Sequence, residues 1–189
     1  VRITGLGGRT PRAWRFHTQR YQSKMPPAPI QQAQTAIYSI ASSGVSWTDR
    51  RLGPQFQDVA RQVGDFVLLR ADGQYAYQLA VVVDDAMQGV NAIVRGADLL
   101  DSTARQMWLQ QRLGVPTPSY AHLPVATDTA GEKLSKQTHA RPVDTTQGSA
   151  ALAAAMAFLG HPPPPELRAA PLREFWSWAV SAWSIERVP

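Results

Sequence analysis

The chain has 189 residues, enough for one ordinary domain or two small lobes around a real core. Hydrophobic residues at 44% and charged residues at 17% exclude a disordered tail, and no run approaches the roughly 18 apolar residues of a membrane-spanning helix. The absence of cysteine removes disulfides, thiolate zinc sites and thiol nucleophiles together, while a net charge of +5 points to a polyanionic partner such as nucleic acid.

The first 24 residues hold Arg2, Arg9, Arg12, Arg15, Arg20 and Lys24, with Trp14, Phe16 and Tyr21 interleaved. Such a mix can touch phosphates while its rings stack on bases; a solvated basic terminus is the plain alternative. The segment has no apolar stretch of the secretory type, so a cytoplasmic protein is expected, and a monomer. Residues 22–34 (QSKMPPAPIQQAQ) read as loop, IYSI as a strand, and SSGVSWTDRRLGP as turns. After Gly64, DFVLLR predicts a buried strand, ADGQ a tight turn centred on Asp72-Gly73, and YAYQL a second strand. AVVVDDAMQG fits either state, because its valines favour strand while its length and closing Gly89 favour helix. NAIVRG predicts another strand.

From Leu100 the spacing turns helical, with Leu100, Ala104, Met107 and Trp108 on one face and Gly114 and Pro116 as the stop. HLPVAT, from His122, predicts a short strand that leads into KLSKQ, residues 133–137, just after Thr129 and Gly131. That loop reads either as solvated charge or as a lysine-bearing loop that neutralises a triphosphate. GSAALAAAMAFLG predicts a helix stopped by Gly160, and HPPPPE a stiff spacer. Leu172, Phe175, Trp176, Ala179 and Trp183 mark a last amphipathic helix whose tryptophans are expected in the core. Adjacent Asp84 and Asp85 fit capping or surface roles, and His17, His122, His139 and His161 lack metal-ligand spacing. Strand–helix alternation followed by helices predicts an α/β fold with a small α lobe. Ligands of such sheets sit beyond the carboxyl ends of the strands, which selects Arg95 and KLSKQ.

KLSKQ resembles the KMSKS signature of class I aminoacyl-tRNA synthetases. The stretch GDFVLLRADGQYAYQLAVVVDDAMQGVNAIVRGADLLDST resembles the segment preceding that signature in the glutamyl and glutaminyl types. AYQLAVVVDD, QGVNAIVRGADL and HLPVA…GEKLSKQ follow the family's order and approximate spacing, most like its short glutamyl-Q tRNA(Asp) branch. The resemblance implies the second half of a Rossmann-type nucleotide-binding domain over residues 64–145, carrying the KMSKS-like loop. It further implies the remainder of an acceptor-binding insertion over 1–63 and a helical stem-contact-like lobe over 146–189. The implied activity is ATP-dependent activation of glutamate, with ATP as its magnesium complex, and transfer to queuosine at the first anticodon position of tRNA(Asp).

By the same resemblance Lys136 would lie against the ATP phosphates as glutamate attacks the α-phosphate, and Lys133, Leu134, Ser135 and Gln137 would complete the ATP loop. Tyr77 and Arg95 match the family's glutamate-binding tyrosine and arginine, and the backbone near Leu123 and Pro124 would face adenine. The chemistry asks for such groups: adenylate formation rests on positioning and charge stabilisation, and an arginine fork suits a carboxylate. The family's HIGH-type motif, its RFAPSPSG-like loop and its cysteine-bearing zinc site have no counterpart here. A chain cut from a longer protein is expected, with impaired catalysis on its own. Two other readings stay open: a fragment of a glutamyl-tRNA synthetase that charges tRNA(Glu), and a non-catalytic RNA-binding remnant.

Overall fold

The computed structural model describes residues 13–19, 38–41, 44–135 and 142–189. They fall into two compact units, one running through Val94 and again over Leu99–Ala121, the other formed by Arg95–Asp98 and His122–Pro189.

In the first unit, β1 (Trp14–Phe16) pairs antiparallel with β5 (Phe66–Leu69). Phe16 stacks on Phe66 with ring centroids 5.1 Å apart and lies 6.1 Å from Trp108. This overturns the reading of Phe16 as a base-stacking ring, since its face is used inside the protein. Of the other basic and aromatic residues named in that segment, Trp14 and Arg15 are described, while Arg2, Arg9, Arg12, Arg20, Tyr21 and Lys24 lie outside the described residues. A second sheet joins β2 (Tyr38–Ala41), β3 (Gly44–Asp49) and β4 (Gly53–Gln57) in antiparallel order.

The hairpin of β3 and β4 corrects the expectation of turns over SSGVSWTDRRLGP. Val45, Trp47 and Asp49 alternate inward and are buried, a period-2 signal masked by the Ser and Gly around it. Asp49 then builds the turn itself: its carboxylate accepts the amides of Arg51 at 3.1 Å and Leu52 at 3.0 Å. At the opposite end of β3 Gly44 is required, because a Cβ would meet the Gln57 carbonyl at 2.5 Å.

After the short helix α1 (Val59–Gln62) and β5, the chain turns at Asp72-Gly73 as expected: Gly73 has φ +81° and Asp72 accepts the Gln74 amide. YAYQL departs from its strand expectation. Tyr75 makes only an isolated bridge to Leu69, and helix α2 runs Tyr77–Met87. Tertiary packing outweighs the strand preference of the valines, for Val82 is buried and Val81 packs on the same core. β6 spans Ala92–Gly96, a single 3-10 turn covers Ala97–Leu99, and α3 spans Leu100–Leu113. α3 buries Ala104, Met107 and Trp108 and closes at Gly114, φ +70°, where the Val115 amide reaches back to the Gln110 carbonyl. β7 (Ser119–Leu123) pairs with β6; it starts before His122 and stops at Pro124, which has no amide to donate.

The second unit holds α4 (Gly148–Phe158) and α5 (Leu172–Ala182), packed around Ala153, Met156, Leu167, Phe175 and Ala179. The tryptophan expectation is corrected here: Trp176 is 51% exposed and Trp183 41%, and Trp178 lies half-buried against Phe175. On this helix only the Phe175–Ala179 stripe is fully covered, because two short helices enclose too little volume for three indoles. Trp183 instead stacks on His161, ring centroids 4.9 Å apart. His161 lies 2.7 Å from the Leu159 carbonyl through Nδ1 and accepts the Ser184 amide at Nε2, 3.0 Å, so its neutral ring joins the two chain segments that flank α5.

Candidate functional site

Tyr77 belongs to the first unit, where three local features set its position. The Ala76 amide donates to the Leu68 carbonyl at 2.8 Å, and Ala76 stays extended (φ −74°, ψ 151°), so the helix begins at Tyr77. Next to it, Gln78 donates to Ser102 at 2.9 Å and accepts from buried Gln106 at 3.0 Å, which ties the first turn of α2 to α3. Tyr77 itself is 51% exposed, a phenol ring on a fixed helix end rather than in the strand expected over YAYQL.

Arg95 belongs to the second unit, as does the lysine loop. At the end of β6, Arg95 donates through Nε to Nε2 of His122 at 3.1 Å. His122 is fully buried on β7. Just beyond, Gly96 makes room for Asp98, whose Oδ1 a Cβ would meet at 2.4 Å. Asp98 receives the ammonium of Lys133 at 2.5 Å. The Lys133 hydrogen bond holds the Asp98 carboxyl below its ordinary value of 3.8 against the cost of desolvation, with the charges of Lys133 and Arg95 adding to the effect. One acidic side chain thus pairs directly with Lys133 and feels the charge of Arg95.

The start of the loop is better ordered than an open strap. Thr127 bridges Lys133, Asp128 accepts the amides of Ala130 and Glu132 at 2.9 Å each, and Gly131 turns the chain at φ +83°. The Leu134 amide donates to the Ala126 carbonyl at 2.9 Å while its side chain is 45% exposed; Ser135 is partly buried. Lys136 and Gln137, the second half of the motif, lie outside the described residues. Asp84 is exposed, as expected for a surface carboxylate. A cleft of about 590 Å³ in the first unit, between β3–β4 and the start of α3, is lined by residues such as Trp47, Gln57, Val63 and Arg105 and includes none of the predicted site residues.

Reasoning from spacing passed over His122 and Asp98. Both lie in stretches that carry the motifs, VRGADL and HLPVA, and the signal available was polar residues within three positions of a candidate cation or opening the strand that leads to the loop.

Comparison with known proteins follows the same residues. The model of the family described as tRNA synthetases class I (E and Q), catalytic domain, matches residues 42–158. A glutamyl-Q tRNA(Asp) synthetase of Aromatoleum aromaticum is 61% identical over 149 residues, covering 79% of this chain and 47% of that protein. One of Albidiferax ferrireducens is 55% identical over 159 residues, covering 84% of this chain and 52% of its own length. The chain spans about half the length of such relatives. The crystal structure of a glutamate-tRNA synthetase from Elizabethkingia anophelis superposes with a TM-score of 0.54 at 21% identity, over 77% of this chain and 35% of that one, a likeness of fold. With mixed α/β architecture and a family match across most of its length, the chain belongs to the class I glutamyl- and glutaminyl-type tRNA synthetase catalytic-domain family.

Proposed function

We propose that the protein carrying this sequence activates glutamate with ATP and transfers it to queuosine at the first anticodon position of tRNA(Asp). In this reading residues 64–145 are the second half of a Rossmann-type nucleotide-binding domain, 1–63 complete an acceptor-binding insertion, and 146–189 form a helical lobe that contacts an RNA stem. Arg95 grips a glutamate carboxylate, and Tyr77 contributes to binding the same amino acid. Lys136 stabilises charge as a carboxylate oxygen of glutamate attacks the α-phosphate and pyrophosphate departs. Lys133, Leu134, Ser135 and Gln137 complete the ATP loop, and magnesium arrives on the nucleotide's phosphates.

The observation that carries the reading is the cluster in the second unit. Arg95 and Lys133, thirty-eight positions apart in sequence, both meet the neighbourhood of Asp98, one through its charge and one through a direct ion pair. A carboxylate-binding arginine and the first lysine of an ATP loop are wanted side by side when a carboxylate is to be joined to a phosphate. The tRNA(Asp) assignment rests on the names of relatives 55–61% identical.

The test is glutamate-dependent ATP–pyrophosphate exchange by the full-length protein, followed by transfer of labelled glutamate to queuosine-containing tRNA(Asp) and to tRNA(Glu). Exchange, labelling of tRNA(Asp), and a fall of at least about a hundredfold in exchange for Lys136→Ala are expected. Absence of exchange would defeat the enzyme reading, and charging of tRNA(Glu) without tRNA(Asp) would defeat the choice of substrate.

A further inference from the structure

Arg95 offers a carboxylate two faces. It can present Nε and one Nη side-on, or both Nη nitrogens end-on. On β6 the side-on edge is engaged: Nε donates to Nε2 of His122, 3.1 Å away on the paired strand β7. A nitrogen that accepts a hydrogen bond carries no proton, so this imidazole is neutral with its proton on Nδ1. The ring is fully buried and therefore has little freedom to swing aside. An arginine is long and flexible, and fixing its Nε removes most of the rotation that would otherwise smear the fork over several positions.

We infer that His122 is a positioning residue, which holds Arg95 by its Nε edge so that the guanidinium meets the carboxylate of an acidic amino-acid substrate end-on, through both Nη nitrogens. The inference deepens the proposed glutamate site and rests on that reading. His122 touches no substrate atom in this scheme; it acts through Arg95. Its contribution falls on substrate binding rather than on the chemical step, because the arginine's charge is present with or without it. Loss of the acceptor leaves the charge near the site and loosens the aim.

The experiment measures pyrophosphate exchange by the full-length protein with His122→Phe, His122→Gln and Arg95→Ala. Phenylalanine keeps the buried ring and removes the acceptor, while glutamine restores an acceptor oxygen near the position of Nε2. Expected for His122→Phe is a KM for glutamate raised about tenfold or more, with kcat within about threefold and the KM for ATP unchanged. His122→Gln should return the glutamate KM to within about threefold of wild type. A merely structural histidine would instead lower kcat and thermal stability in both variants without a selective change in the glutamate KM, and that pattern would overturn the inference.

Arg95→Ala separates the two levels. If it leaves the glutamate KM intact, the glutamate-site reading itself fails and the inference falls with it. If it raises the KM while His122→Phe does not, only the positioning role is refuted. Should the phenylalanine variant not fold, nitrogen-15 NMR of the wild-type imidazole decides: an unprotonated Nε2 at neutral pH is required, and a protonated one overturns the proposal.

Discussion

Asp65 shows how much one side chain does at the entry to β5. Its carboxylate accepts the amide and hydroxyl of buried Thr18 at 3.0 and 3.2 Å and pairs with Nδ1 of His17 at 2.6 Å. Partial burial alone would push its pKa up; the Thr18 amide and the charge and hydrogen bond of His17 outweigh that and hold it below 3.8. A depressed carboxyl stabilises the fold above the unfolded value and ceases to do so as pH falls through the lower folded value. Asp65→Ala is therefore expected to lower the unfolding free energy by about 1 kcal/mol at neutral pH, measured by urea titration. The difference from wild type should shrink once the pH drops below 3.8, and a difference constant into strong acid would contradict this account. Legibility at this scale was uneven. Arg95 and Lys133 could be named from sequence, whereas the bond from Arg95 to His122 spans 27 positions and joins two strands, a relation no local spacing expresses.

Among the elements, the helices were the legible part. The period that places Leu100, Ala104, Met107 and Trp108 on one face of α3 buries the last three and packs Leu100, partly buried, against the same core, and Gly114 and Gly160 mark helix ends in both sequence and structure. Short strands were harder. β3 hid its alternation among serines, and YAYQL became a helix start because Gln78 and Val82 found partners on α3 and in the core that strand propensity knows nothing about. The two helix-ending glycines also make opposite demands on space. At Gly114 a Cβ meets nothing within 4 Å, so Gly114→Ala pays only for a left-handed backbone, about 1 kcal/mol. At Gly160 a Cβ would meet the Arg187 carbonyl oxygen at 2.1 Å, and the same substitution should cost about 3 kcal/mol or more. Thermal unfolding of the two alanine variants tests the ordering; equal losses would show that the Arg187 segment yields.

For the molecule as a whole, charge is the property with most reach. For the RNA partner proposed above, a net charge of +5 on 189 residues predicts that the logarithm of the affinity falls linearly with the logarithm of salt concentration, because each phosphate contact releases counterions. Filter binding or fluorescence anisotropy with tRNA over a range of salt checks this; a flat dependence would leave the basic residues without a polyanion to meet. Alternation of strand and helix corresponds to a mixed α/β architecture, yet the described strands pair in twos and threes, so the wider sheet of a nucleotide-binding domain belongs to the proposal.

The ring of His161 has a less obvious consequence. Pro162 to Pro165 carry no amide proton, so deuterium uptake is blind along that whole stretch. The Ser184 amide, bonded to the imidazole from across α5, is the place where breathing of the C-terminal helices would first be registered.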